Sequence, residues 1–169
     1  MFRCLIRVFP AILFAFAMGV SPAHAGEAAP EFTLRDMNGK EVQLASFKGK
    51  VVMLNFWATW CGPCKLEMPH LDKMDREFES KGFEVISIST DDARASSKVK
   101  PLIKRGGYGF TVLLDKDTTV VAQYNPAKTL PYNALIDRDG RIHKVYQGYN
   151  PGDEVEMRKD VEELLAAGQ

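Results

Sequence analysis

The stretch Val51-Val52-Met53-Leu54-Asn55-Phe56-Trp57-Ala58-Thr59-Trp60-Cys61-Gly62-Pro63-Cys64-Lys65-Leu66-Glu67-Met68 decides how this chain is read. Its first seven residues form a nearly unbroken apolar run, the pattern of a strand buried on both faces. From Cys64 onward, Met68, Leu71, Met74 and Phe78 recur at helical spacing and predict a helix with one apolar face. The two cysteines therefore sit at a strand-to-helix turn. A helix start carries unpaired N–H groups and a partial positive charge, and both favour a thiolate over a thiol.

Two other uses of the pair carry little weight. A bridge closing so short a loop removes little chain entropy, so it would be a poor structural staple. A closed zinc site needs four ligands. The chain has three cysteines, Cys4, Cys61 and Cys64, and three histidines, His24, His70 and His143, none at ligand-like spacing to the pair. Reversible dithiol–disulfide chemistry remains, and it calls for no cofactor and no metal.

The rest of the chain fits an exported α/β protein. With 169 residues, 46% of them hydrophobic, it can bury one good core. Its 22 basic and 22 acidic residues form no basic surface that would imply a nucleic-acid partner. Residues 1–25 read as a secretory signal peptide. Arg3 and Arg7 come first, residues 8–20 are an apolar core, and Ala23-His24-Ala25 is a small-X-small cleavage site. The alternative is an uncleaved N-terminal anchor. Residues 26–30 read as a short linker, and residues 31–169 as the folded domain. Once the signal and Cys4 are removed, the only cysteines are Cys61 and Cys64. An exported domain with a single such pair handles disulfides rather than relying on them for structure.

Periodicity predicts the remaining elements. Residues 32–34 and 41–44 form a hairpin about Asn38-Gly39. Residues 83–89 form a strand after Gly82 closes the first helix, which Pro69 should kink. A helix follows over 93–105, bent or started by Pro101. Then come a strand at 111–114 and a short helix at 119–124. Residues 132–136 and 142–146 form a second hairpin across Asp139-Gly140. Asn150-Pro151 caps a last helix with Met157, Val161, Leu164 and Leu165 on one face. Asp137-Arg138-Asp139-Gly140 resembles the start of a calcium loop, but the twelfth position is Gly148 rather than Glu, so it reads as a turn. On periodicity alone the domain is α/β with a mixed sheet.

The block Asn55-Phe56-Trp57-Ala58-Thr59-Trp60-Cys61-Gly62-Pro63-Cys64-Lys65-Leu66-Glu67-Met68-Pro69 and the looser block from Leu130-Pro131 to Arg141 resemble the thioredoxin superfamily, and within it the TlpA/ResA-like periplasmic thiol–disulfide oxidoreductases. The resemblance implies a thioredoxin-like fold: a mixed central sheet flanked by helices, with an N-terminal β-hairpin and a central insertion. It implies that Cys61, exposed at the helix start, attacks a substrate disulfide and that Cys64 resolves the mixed disulfide. It implies that Pro131 is a cis-proline facing the dithiol, with the Leu130 backbone open to an extended substrate. Glu67 then handles the resolving proton, because Asn55 stands where cytoplasmic thioredoxins carry a buried Asp. Gly62 and Pro63 set the stiffness of the turn. Trp60 shields the dithiol and meets partners, and Trp57 lies in the core. Tyr132 and Asn133 depart from the family's small hydroxyl residues after the proline, which bears on substrate choice.

The expected activity is reduction of protein disulfides in the periplasm, with apocytochrome c as one candidate substrate and a membrane protein as electron donor. Three alternatives are a disulfide-donating oxidant, a thiol peroxidase of the related peroxiredoxin group and a copper-handling metallochaperone. The peroxidase would need a Pro-X-X-X-Thr-X-X-Cys frame. The metallochaperone would need wider cysteine spacing and a distant histidine, for which His143 is poorly placed.

Overall fold

The computed structural model describes residues 26–167, so the expected signal peptide, its cleavage or retention as an anchor, Cys4 and His24 all lie outside the described residues. Strand β3 (Val51–Trp57) is buried at every position, as its apolar run predicts. It pairs in parallel with β4 (Phe83–Ser89) and antiparallel with β6 (Tyr132–Ile136). Strands β1 (Thr33–Asp36), β2 (Glu41–Gln43), β5 (Thr111–Leu114) and β7 (Ile142–Gln147) complete a seven-stranded mixed sheet of order β2-β1-β5-β4-β3-β6-β7.

Alternation along β3 divides the core between the two sheet faces. On one face Met53 and Trp57 pack with Cys64, Met68, Leu71 and Phe78 of α1 (Gly62–Phe78) and with Met157, Val161 and Leu165 of α4 (Asp153–Ala167). On the other, Leu54 and Phe56 pack with Ile86 and Ile88 of β4 and with Val120, Val121 and Tyr124 of α3 (Thr119–Tyr124). Each such side chain contributes roughly 1.5–3 kcal/mol when fully buried. Register matters at one level of the sheet. Ser87, Asn55, Asn133 and Tyr146 are paired across β4, β3, β6 and β7, so a polar row crosses an apolar sheet.

Several boundaries differ from the sequence reading for identifiable reasons. In the first hairpin Asp36 accepts the N–H groups of Asn38 and Lys40 and closes the turn early. Gly39 takes the left-handed conformation at φ +87°, while Phe32 and Leu44 leave the strands for the core. The helix expected over 93–105 is a 3-10 turn, Ala95–Lys98, followed by α2 (Val99–Gly106). Pro101 falls in the first turn of α2, where an N–H has no intrahelical acceptor. Ahead of α4 the Asp153 carboxylate accepts the Asn150 N–H, and the Asp153 N–H donates to the Asn150 carbonyl, so Asn150 and the first residue of the helix are tied reciprocally. Helix α1 runs through Pro69 as one segment, with Pro69 on its solvent side.

Residues 26–30, read as a linker, are docked on the domain. Gly26 donates to the Ile142 carbonyl, Ile142 to that of Glu27 and Ala29 to that of Gly140. The Tyr124 hydroxyl donates to the Pro30 carbonyl at 2.6 Å. Among the described residues, no helix is long and apolar enough to cross a membrane.

Candidate active site

Strand β3 ends at Trp57, and Cys61 forms the N-cap of α1. The Cys61 sulfur accepts the Cys64 N–H at 3.2 Å, so a helix-start donor points at the sulfur that would carry charge. The two sulfurs are joined as a disulfide with a Cα–Cα distance of 5.4 Å. Cys61 is not exposed as expected; it is 4% accessible against 1% for Cys64. In the oxidised pair Cys61 is bonded to Cys64 and packs with it in the core of the α1 face. Gly62 and Pro63 are exposed, and Trp60 is 72% accessible.

The loop before Cys61 is held from β4. The buried Asp91 accepts the Thr59 N–H at 2.8 Å, the Thr59 hydroxyl at 2.7 Å and the Ser89 hydroxyl at 2.8 Å. Thr90 adds an N–H bond to the Trp57 carbonyl. Sequence reading missed Asp91. It lies 30 residues from Cys61, in no motif, and only the parallel pairing of β3 with β4 brings it to the turn.

Glu67 shares the buried face of α1 with Cys64 and is fully inaccessible. Its two oxygens receive the Asn55 amide at 3.0 Å and the Asn133 amide at 2.7 Å. Asn55 also donates to the Asn133 carbonyl at 2.8 Å and accepts from the Ser87 hydroxyl at 3.3 Å. Burial pushes the Glu67 carboxyl up to about 8, the two amide donors oppose the rise, and the Asp153 charge adds to it. Asn133 was noted in the sequence only as a departure from the family. Its pairing with Asn55 across β3 and β6 is what brings it to Glu67.

The Leu130–Pro131 peptide is cis. Pro131 directly precedes Tyr132, the register partner of Phe56, so it lies at the end of the sheet from which the Cys61 turn departs. Half-buried Leu130 packs against the core that holds both cysteines, and its backbone bonds to no other loop or turn group among the described residues. Beside Trp60 an open groove is lined by Thr59, Lys65, Lys98, Leu102, Arg105 and Tyr108. His70 is half-exposed, with its ring near Tyr149 and 3.7 Å from Glu154.

The profile of the Redoxin family matches residues 24–165. The thiol-disulfide oxidoreductase ResA of Bacillus cereus (strain ATCC 10987 / NRS 248) is 32% identical over 164 residues, covering 91% of this chain and 93% of that protein. The protein of the same name from Bacillus subtilis (strain 168) is 39% identical over 123 residues, covering 73% and 67%. A thiol:disulfide interchange protein from Bacteroides sp. has a solution structure that matches with a TM-score of 0.70 at 30% identity, over 84% of this chain and 90% of that one.

Proposed function

We propose, for a chain that belongs to the Redoxin family and is a TlpA/ResA-like thiol–disulfide oxidoreductase of the thioredoxin superfamily, that its work is to reduce disulfides of protein substrates outside the cytoplasm. The observation that carries this reading is the Cys61–Cys64 pair at the start of α1, with Glu67 buried one turn further along.

In the reduced protein the Cys61 thiolate attacks one sulfur of the substrate disulfide. The substrate S–S bond breaks, a Cys61–substrate disulfide forms, and the released substrate sulfur takes a proton. The Cys64 thiol then gives its proton to the Glu67 carboxylate, and its sulfur attacks Cys61. The Cys61–substrate bond breaks, the second substrate sulfur leaves as a thiolate and takes a proton, and the two electrons have passed from the dithiol to the substrate. A carboxyl raised to about 8 is close to an ordinary thiol at about 8.5, so this proton transfer is nearly level in energy.

The cis Pro131 leaves the Leu130 backbone open to an extended substrate segment, and Trp60 with the adjoining groove receives its side chains. The Gly62-Pro63 filling between the cysteines supports the reducing direction. Such a dithiol in an oxidising compartment needs a reductant, which makes a membrane electron-donor protein the expected partner. Apocytochrome c, with paired haem-binding cysteines, is a candidate substrate.

The test is the reduction potential of the Cys61–Cys64 couple, by equilibration with glutathione or dithiothreitol at pH 7. A value at or below about −220 mV supports a reductase. A value near about −120 mV makes the protein a disulfide donor and reverses the proposed flux.

A further inference from the structure

We infer that Asn55 and Asn133 are positioning residues that keep the Glu67 proton out of the space between the three side chains, so that Glu67 takes up and gives back its proton only through the carboxyl lone pairs turned away from them. The inference rests on the reading of Glu67 as the resolving proton acceptor and adds how the surrounding sheet aims it.

Three edges join Asn55, Asn133 and Glu67, at 2.8, 3.0 and 2.7 Å, and each has room for one hydrogen. Asn55 presents one nitrogen to both neighbours, and its two N–H groups fill two edges. Asn133 then turns its oxygen to Asn55 and its nitrogen to Glu67, which fills the third. In this arrangement Glu67 receives two hydrogens and gives none.

A proton on Glu67 pointing into either edge breaks the pattern. If it points at Asn133, that amide must turn over, and its nitrogen then meets the Asn55 nitrogen. If Asn55 turns over too, its oxygen meets the bare second oxygen of Glu67. If the proton points at Asn55, that amide must turn over. Asn133 can then satisfy Asn55 or Glu67, but not both. Every inward placement leaves two like atoms in contact at about 3 Å in a site from which water is excluded, where an unpaired polar group is costly. Only an outward proton leaves all three edges filled. The Ser87 hydroxyl, donating to the Asn55 oxygen, completes the row at its far end.

The ionisable groups around Glu67 are few. Strands β3 and β6 present only the uncharged Asn55 and Asn133. Asp153 at the start of α4 adds its charge, and Tyr149 ahead of α4 is affected by the Glu67 charge. On α1 itself, Cys64 stands one turn back on the same buried face. With the inward side closed, the proton is exchanged on the outward side, and the reduced Cys64 thiol, on the same buried face of α1, is the group that gives it during resolution.

The test follows the Glu67 carboxyl carbon and the Asn55 and Asn133 side-chain amides by NMR on the oxidised protein between pH 5 and 10. The expected result is a carboxyl titration near pH 8 through which both amides keep the same orientation, seen as unchanged proton–proton contacts for each amide hydrogen. An exchange of those contacts as Glu67 titrates overturns the inference. No carboxyl titration in this range overturns instead the reading of Glu67 as a proton carrier, so the two failures are distinct.

A second measurement uses Asn133→Leu. Loss of one donor to the carboxylate should raise the Glu67 midpoint by about a unit. The rate at which Cys64 resolves a mixed disulfide on Cys61 should fall severalfold at pH 7, and its pH profile should move up with the Glu67 midpoint. A folded variant whose midpoint and profile stay in place also overturns the inference.

Discussion

At the scale of single residues, Glu67 sets the strongest expectation. Its carboxyl stands at about 8 in the folded protein against an ordinary 4.5, so the fold holds a proton that the unfolded chain gives up between those values. Stability present below about pH 4.5 is therefore lost as pH rises through 8, by an amount on the order of a few kcal/mol. Urea unfolding of wild type and Glu67→Gln at pH 5 and pH 9 should show the difference moving in favour of the Gln variant at the higher pH. Cys64→Ser should leave the first attack intact and stop resolution, so that a covalent Cys61–substrate adduct accumulates on a non-reducing gel. Cys61→Ser should form none. The cysteines and Glu67 were legible because their spacing along one helix is local. Asn133 and Asp91 were not, because both reach the site through strand register, which is a non-local fact. The burial of Cys61 was missed because a helix start reads as exposed until the bridge and the surrounding core are in place.

At the scale of elements, β3 and α1 carry the site, and both were clear in the sequence because six apolar residues in a run of seven and a four-point helical stripe have no competing reading. Leu71 on α1 is fully buried, and Leu71→Ala should cost about 2–5 kcal/mol of stability, read as a lower denaturation midpoint. The loop from Ala58 to Trp60 depends on Asp91. Asp91→Ala leaves the Thr59 N–H and the Ser89 hydroxyl without their acceptor and should cost about 1–3 kcal/mol. It should also slow reduction of a protein disulfide by at least tenfold, because a small displacement of the attacking sulfur is enough to cost about that much. The helix expected over 93–105 was the least legible. The 3-10 turn before Val99 rests on Asp92, whose carboxylate accepts the N–H groups of Arg94 and Ala95. That local capping bond overrides the longer pattern.

At the scale of the whole molecule, the two cores lie back to back on one sheet and share β3, so neither can loosen alone. Unfolding should be a single transition. In a Trp60→Phe variant, fluorescence then reports the fully buried Trp57 alone, and its curve should coincide with far-UV circular dichroism. Separate midpoints would show that the α1 face and the α3 face melt independently. The docked segment 26–30 has a further geometric consequence. Gly26 joins the domain at Ile142, which is paired with Ile136, itself opposite Val52 at the beginning of β3. The dithiol lies beyond the other end of that strand, about 20 Å away for seven extended residues. Gly26 therefore enters the domain at the pole opposite the reactive one. A partner can approach the cysteines from the far end of the sheet without passing residue 26.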